Sequence, residues 1–315
     1  MACIHPLSCY CLSDDSSGYG RKSGRRKNMM KMNRQCQLDK QITENVISGV
    51  LKNCMIDNIK SILIHPLLRK TDIDAPETVA CVAEVIQGKS FLKKVYQRWY
   101  AGISKLLPHH ISGPVLELGA GAGFLEQYIP NLIKSEILQT PITDIVLDAH
   151  HLPFTGESLR GIVMLDVLHH LPDGEAFFHE AAHCIKPGGV IVMIEPWVTQ
   201  WSKLIYGRLH HEPFEENVKE WKFPKGGPLS QANSAMPWII FDRDRSVFIR
   251  KFPEWKIKII ELHTPFAYLI SGGVSLRNLL PGFAFSICSR LEEKMNSRMN
   301  FWAMFATIAL EKLEL

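Results

Sequence analysis

Residues 115–124 read Val-Leu-Glu-Leu-Gly-Ala-Gly-Ala-Gly-Phe. An apolar run carries Glu117 at its end and passes at once into a turn with glycine at 119, 121 and 123. This is the pattern of a buried parallel strand, a tight loop and a helix start, the helix expected over Phe124 to Ile129. Glycine lets the backbone take left-handed angles and lets a ligand come close to it. An anionic or electron-rich group can then rest against free N–H groups. Two nucleotide motifs fit poorly. The dinucleotide fingerprint needs its third glycine where Phe124 stands, and a P-loop needs Gly-Lys-Ser/Thr, which does not follow. An acid at the strand end, as at Glu117, repels a pyrophosphate and suits a ligand with a positive amino group.

Downstream, Ile133–Leu138 predicts a short second strand carrying Glu136, 19 residues beyond Glu117. That spacing suits an acid at the next strand tip, where a carboxylate can accept both hydroxyls of a ribose; a solvated loop acid is the plain alternative. Ile142–Leu147 predicts a third strand ending at Asp148-Ala149-His150-His151-Leu152-Pro153-Phe154. There a carboxylate can accept from the amine of a planar base held between apolar side chains. Gly161–Leu165 predicts a fourth strand, running into Asp166-Val167-Leu168-His169-His170-Leu171-Pro172. Asp173 is well placed to cap the helix that follows. Lys186-Pro187-Gly188-Gly189 reads as a turn, and Val190–Ile194 as a fifth strand ending Glu195-Pro196-Trp197. Strands alternating with helices predict a parallel sheet with right-handed crossovers. Ligands bind such sheets beyond the carboxyl ends of the strands. Glu117, Glu136, Asp148, Asp166 and Glu195 all fall at such ends.

The chain of 315 residues divides by pattern into three parts. Residues 1–35 hold seven Lys/Arg against Asp14 and Asp15, so the net charge of +4 belongs to this tail and the remainder is near neutral at −1. The tail has no periodicity and reads as disordered, a solvated stretch more than a patch for nucleic acid or anionic lipid. Residues 36–110 read as a helical cap, with helices over Ile42–Ile64, Glu77–Gln87 and Ser90–Leu107. Its Tyr96, Trp99 and Tyr100 suit either a lid over a ligand or a face packed on the sheet. Residues 111–315 form the main domain. Within it, 198–250 interrupts the pattern with aromatic and polar groups, Trp201, Tyr206, His210, His211, Glu212 and Trp221 among them. It reads as an acceptor pocket or lid. Trp255–Leu262 and Phe301–Leu313 predict the last two strands, with turn and helix between. No apolar run approaches a membrane span of about 18–20 residues. No signal-peptide pattern opens the chain. The eight cysteines are scattered without a C-x-x-C pair, so they are expected reduced, in a cytoplasmic protein with no metal site.

Glu117-Leu-Gly-Ala-Gly-Ala-Gly123, Asp148-Ala-His-His-Leu-Pro-Phe154, Leu168-His-His-Leu-Pro172 and Lys186-Pro-Gly-Gly189, in this order and spacing, resemble a class I S-adenosylmethionine-dependent methyltransferase. The likeness is to the small-molecule group that includes ubiquinone/menaquinone-biosynthesis-type enzymes, and it covers about 111–197. It implies a Rossmann-like sheet of seven mostly parallel strands with the last antiparallel, helices on both faces, a helical N-terminal extension, and the insertion after strand five. It also implies S-adenosylmethionine as cofactor. Gly119, Gly121 and Gly123 would line the methionine part and Glu117 hold its amino group. Glu136 would take the ribose, Asp148 and Ala149 the adenine, and Leu165 and Asp166 would flank the cofactor. The short segment between Gly123 and Asp148 departs from the family in lacking a full helix after strand two.

Methyl transfer is an in-line displacement with a neutral leaving group, so positioning and desolvation dominate. A base is needed only where the acceptor loses a proton. His170, His210 and Glu212 are the candidate catalytic residues. For His169 and His170 the structural alternative, a capped turn and a packed ring, is the stronger reading. Glu195 and Trp197 border the pocket or brace the insertion. The expected acceptor is a small or lipid-like molecule, with no nucleic acid and at most peripheral membrane contact. A nucleic-acid methyltransferase is the weaker alternative, because strand four is not followed by the Asn/Asp-Pro-Pro-aromatic motif that grips a flipped base. A cofactor-binding protein without turnover is the other.

Overall fold

The computed structural model describes residues 63–69, 71, 72, 74–209, 212–223, 226, 227 and 230–314. Helices α1 (Pro76–Gly88) and α2 (Ser90–Leu106) precede the sheet. Strands β1 (Val115–Leu118), β2 (Leu132–Glu136), β3 (Ile145–Val146), β4 (Leu159–Leu165) and β5 (Ile185–Pro196) follow, with α3 (Gly174–Cys184) between β4 and β5. After β5 come α4 (Gln200–Leu209), short turns at 236–243, α5 (Arg245–Lys251), β6 (Trp255–His263), α6 (Phe285–Glu293) and β7 (Phe305–Lys312). The sheet order is β3-β2-β1-β4-β5-β7-β6. β1 to β5 are parallel, and β7 runs antiparallel between β5 and β6. The order reverses at β1, whose neighbours are β2 and β4, so β1 and β4 open the crevice where such sheets take ligands. This is the seven-stranded, mostly parallel α/β fold expected.

Alternation along the strands builds two cores. Leu116, Leu118, Ile162, Met164, Ile191 and Met193 face α3, whose Phe177 and Phe178 are fully buried. Val115, Val163, Val192 and Ile194 face the other way, onto Phe91, Val95 and Trp99 of α2. The stretch after β5 is of two kinds. Ile239, Ile240, Phe241 and Phe248 are fully buried in the first core, while Glu212, Phe223 and Gln231 reach the crevice.

Several elements differ from the sequence expectation. Only a 3-10 turn, Leu125–Gln127, stands where a helix over Phe124–Ile129 was expected. Pro130 ends it after one turn, and Asn131 takes a positive φ of 57° to re-enter the sheet. β3 is two residues long, not six, because it is an edge strand whose Val146 is exposed. The last strand starts at Phe305, not Phe301. Met299–Trp302 is a helical turn, and the apolar run conceals the change of period. As expected from the short spacing, no helix separates β2 from β3. Among the described residues, no helix is long and apolar enough to cross a membrane.

Candidate functional site

The glycine turn is shaped by its neighbours. Gly119 and Gly121 hold φ of +65° and +49°, angles that side chains disfavour. A Cβ at Gly119 would lie 2.5 Å from Val167 Cγ2, and one at Gly123 would lie 2.4 Å from the Tyr100 hydroxyl. The turn is thus a cradle of bare backbone between the β1 and β4 tips. Ala120 N–H donates to the Ser135 carbonyl at 2.9 Å, and Gly121 N–H donates to Glu136 Oε1 at 2.6 Å. Ile137 N–H donates to the other oxygen of Glu136. Burial raises the Glu136 carboxyl above its ordinary range, opposed by these two N–H groups. Glu117 is buried beneath the turn, and that burial, with Glu126 and Glu136 adding repulsion, raises its carboxyl well above the usual range. A buried acid of this kind gains from a cationic partner.

A cavity of 320 Å³ runs from Gly119 and Glu136 to Asp148, Ala149 and Pro172, with Phe223 on its wall. Asp148 Oδ1 accepts from the His150 N–H at 2.9 Å and pairs with His150 Nδ1. His150 Nε2 in turn accepts from the Asp173 N–H at 3.3 Å, which puts the ring proton on Nδ1. Partial burial opposes the charge on Asp148, but the His150 bonds outweigh it and hold the carboxyl below its usual range. Asp148 is therefore an anchored carboxylate. Asp173 caps α3 by accepting from the Ala176 N–H at 3.1 Å.

A second cavity, of 400 Å³, shares Gly119, Glu136, Leu165, Asp166 and His170 with the first. Val79, Val82 and Ile86 of α1, Tyr96 of α2 and Val274 make its far wall apolar. At its floor lies a charged cluster. Glu195, fully buried, accepts the Val167 and Leu168 N–H groups on Oε1 at 2.9 and 2.7 Å and meets His169 Nδ1 through Oε2 at 2.7 Å. His169 Nε2 faces Glu212 Oε2 at 3.4 Å and Asp166 Oδ1 at 4.0 Å. Burial disfavours the charge on His169, yet bonds to Glu195 and Glu212 raise it well above 6.5, so it is an imidazolium. The Ser234 hydroxyl donates to Glu212 at 2.9 Å. Two triads here, His169 with His170 and Glu212, and His169 with Asp166 and Glu195, have ligand atoms close enough together to hold a cation.

Asp166 sits where the two cavities meet. Its φ is +63°, a strained angle for a side-chain-bearing residue. Its side chain keeps 40% of its surface open to the crevice. Desolvation within the crevice, opposed by His169 and aided by Glu212 and Glu195, pushes its carboxyl up to about 7. His170 Nδ1 donates to the Gln231 carbonyl at 2.9 Å, and burial beside the His169 charge lowers the ring to about 4. His170 is therefore neutral, with Nε2 3.8 Å from Glu212 Oε1.

Of the residues singled out in the sequence, Glu117, the three glycines, Glu136, Asp148, Ala149, Leu165, Asp166, His170 and Glu212 all line these two cavities. His210 lies outside the described residues. Two features were under-read. His169 is the centre of the charged cluster, and Glu195 is its anchor. The only sequence signals were an acid at a strand end and a paired histidine.

A family described as a methyltransferase domain matches residues 116–193. No curated protein matches the sequence. Similar solved structures include geranyl diphosphate C-methyltransferase from Streptomyces coelicolor A3(2), 13% identical over 80% of this chain and 90% of that one, at a TM-score of 0.43. An S-adenosylmethionine-dependent methyltransferase from Mesorhizobium loti is 15% identical over 67% and 96%, at 0.39. One from Thermotoga maritima is 14% identical over 73% and 99%, at 0.40.

Proposed function

We propose that this chain, whose residues 116–193 match a methyltransferase-domain family, is a class I S-adenosylmethionine-dependent methyltransferase that methylates a small, largely apolar acceptor carrying a proton-bearing nucleophile. The observation that carries the reading is the pair of cavities meeting at Gly119, Leu165 and Asp166, one edged by anchored carboxylates and the other apolar-walled. When bound, S-adenosylmethionine supplies a methyl group on a sulfonium whose leaving group is neutral.

The residues fit that cofactor. The glycine cradle leaves room for it, Glu117 would face its amino group, Glu136 the ribose hydroxyls and Asp148 the adenine amine. The acceptor would lie against Val79, Val82, Ile86 and Tyr96, with its reacting atom at Asp166. A carboxyl near 7 is matched to neutral operation as a general base. Asp166 would take the acceptor's proton as the new bond to the methyl carbon forms. Glu212 would tune it, because its charge is one cause of the raised value. His169 and Glu195 would hold Glu212 in place, and neutral His170 would close the floor without competing for the proton.

The test is transfer of labelled methyl groups to apolar phenols, enols and amines, followed by the pH profile of kcat/KM on the best acceptor. Activity should rise through about pH 7 as Asp166 ionises. Asp166→Asn should remove that limb, and Glu212→Gln should move it to lower pH. A limb that persists unchanged in Asp166→Asn refutes the assignment of the base.

A further inference from the structure

Helix α6 has an outer face that none of the described residues covers. Phe283, just before it, Ile287 and Leu291 follow at intervals of four residues, so they form one stripe. They are 78, 61 and 56% exposed, among the most exposed of the large apolar side chains. The inner face is well anchored. Cys288 is buried, and Glu292 accepts from the Phe266 and Ala267 N–H groups and pairs with Arg98 at 3.0 Å. The helix is thus held in place while it presents the stripe outward.

Two further observations say what covers it. Arg290 and Lys294 are exposed, and by helical spacing they stand on the same side as Phe283 and Ile287. Among residues 274–300 the other charges are Arg277, Arg298, Glu292 and Glu293, and Glu292 is buried in its ion pair. The face is apolar at its centre and carries a net positive charge around it, Glu293 being the one exposed acid among these residues. Second, it continues into the acceptor side of the crevice. Val274 and Ser275 line the 400 Å³ cavity, and the chain runs from them through the exposed Leu279 and Leu280 directly to Phe283. Leu276 and Arg277 pair with Ile64 and Leu63, Ile64 lines the same cavity, and the nearby Leu67 is exposed, so exposed apolar groups adjoin both of these cavity-lining segments.

We infer that this face seats the protein on an anionic lipid bilayer, with Leu279, Leu280, Phe283, Ile287 and Leu291 in the interface and Arg277, Arg290 and Lys294 at the headgroups. Amphipathic helices with apolar and cationic residues side by side bind in this way, with strength set by apolar area and charge together. Charge argues against two rival occupants. A second copy would bring the same cations against themselves. Residues 1–35 carry a net +5 and would be repelled likewise. An acceptor dissolved in the bilayer would meet the cavity at its mouth; that consequence rests on the proposed methyl transfer, whereas the docking itself does not.

The experiment is cosedimentation of the full chain with vesicles of phosphatidylcholine alone, and of phosphatidylcholine with about one third phosphatidylglycerol. The wild type should partition onto the anionic vesicles and far less onto the neutral ones. Phe283→Ser with Ile287→Ser should reduce the partition at least about tenfold. Arg290→Gln with Lys294→Gln should reduce it on the order of twenty-fold on anionic vesicles and leave the neutral ones unaffected. All four sites are exposed, and unchanged melting curves would show that the variants fold. Failure of the folded wild type to sediment with anionic vesicles overturns the inference, as does undiminished binding by the Phe283/Ile287 variant. A wild-type dimer that this variant dissolves into monomers also overturns it and assigns the face to a second copy. No outcome depends on methyl transfer, so the two readings fail separately.

Discussion

Replacing Glu195 by Gln isolates the buried charge that organises the site floor. The amide oxygen can still accept the Val167 and Leu168 N–H groups, so the turn after β4 keeps both bonds. What is lost is the anion 2.7 Å from His169 Nδ1. Breaking a buried ion pair costs about 3–5 kcal/mol. Glu212 remains as a second counter-charge, which puts this case near the lower end. In a domain of this size about 1 kcal/mol moves Tm by about 2–4 °C, so the variant should melt about 6–12 °C lower near neutral pH. The pH dependence follows from the direction of the His169 shift. Its folded value lies well above 6.5, so the pair's stabilisation is complete below the unfolded value and is lost as pH rises through the folded one. Thermal unfolding followed by circular dichroism at about pH 6 and about pH 9 should show the full gap at the lower pH and a narrower one at the higher. A gap below about 2 °C at the lower pH, or one that widens with pH, refutes a charged His169 held by Glu195.

Gly119→Ala should destabilise the fold by about 1–3 kcal/mol, because it combines a φ of +65° with a Cβ 2.5 Å from Val167 Cγ2; an unchanged urea midpoint contradicts the tight cradle. Asp173→Ala should cost about 1 kcal/mol through loss of the α3 cap, with Asp173→Asn restoring most of it in the same denaturation assay. Equal stability of the Ala variant would mean that the cap contributes nothing.

What the sequence revealed and what it hid divide along physical lines. β1, β4 and β5 are central parallel strands, buried on both faces, so Val190–Ile194 reads as an uninterrupted apolar run and Val115–Leu118 as one broken only by Glu117. The acids at the strand tips were legible for the same reason, since a strand's end fixes where the next residue points. β3 was over-extended because an edge strand with one exposed face is only weakly specified by Ile142–Leu147. The Met299–Trp302 turn was hidden because burial keeps residues apolar whether the period is helical or extended. The floor cluster could not be read locally. His169, Glu195 and Glu212 come from the turn after β4, the end of β5 and the stretch beyond α4, and only the assembled sheet brings them within bonding distance. Likewise, nothing in Ile239–Phe248 distinguishes a lid from the core layer it forms, because an aromatic run serves either.

The most direct measurement is calorimetric binding of S-adenosylmethionine and its demethylated product to the purified protein, beside Asp148→Ala. Asp148 is a carboxylate held by His150 at the edge of the nucleoside-sized cavity, and a hydrogen bond to a charged group contributes about 1.5–3 kcal/mol. Binding by the wild type, weakened about ten- to a hundredfold in a variant that melts normally, is the expected result. Folded wild-type protein that binds neither compound contradicts the central claim.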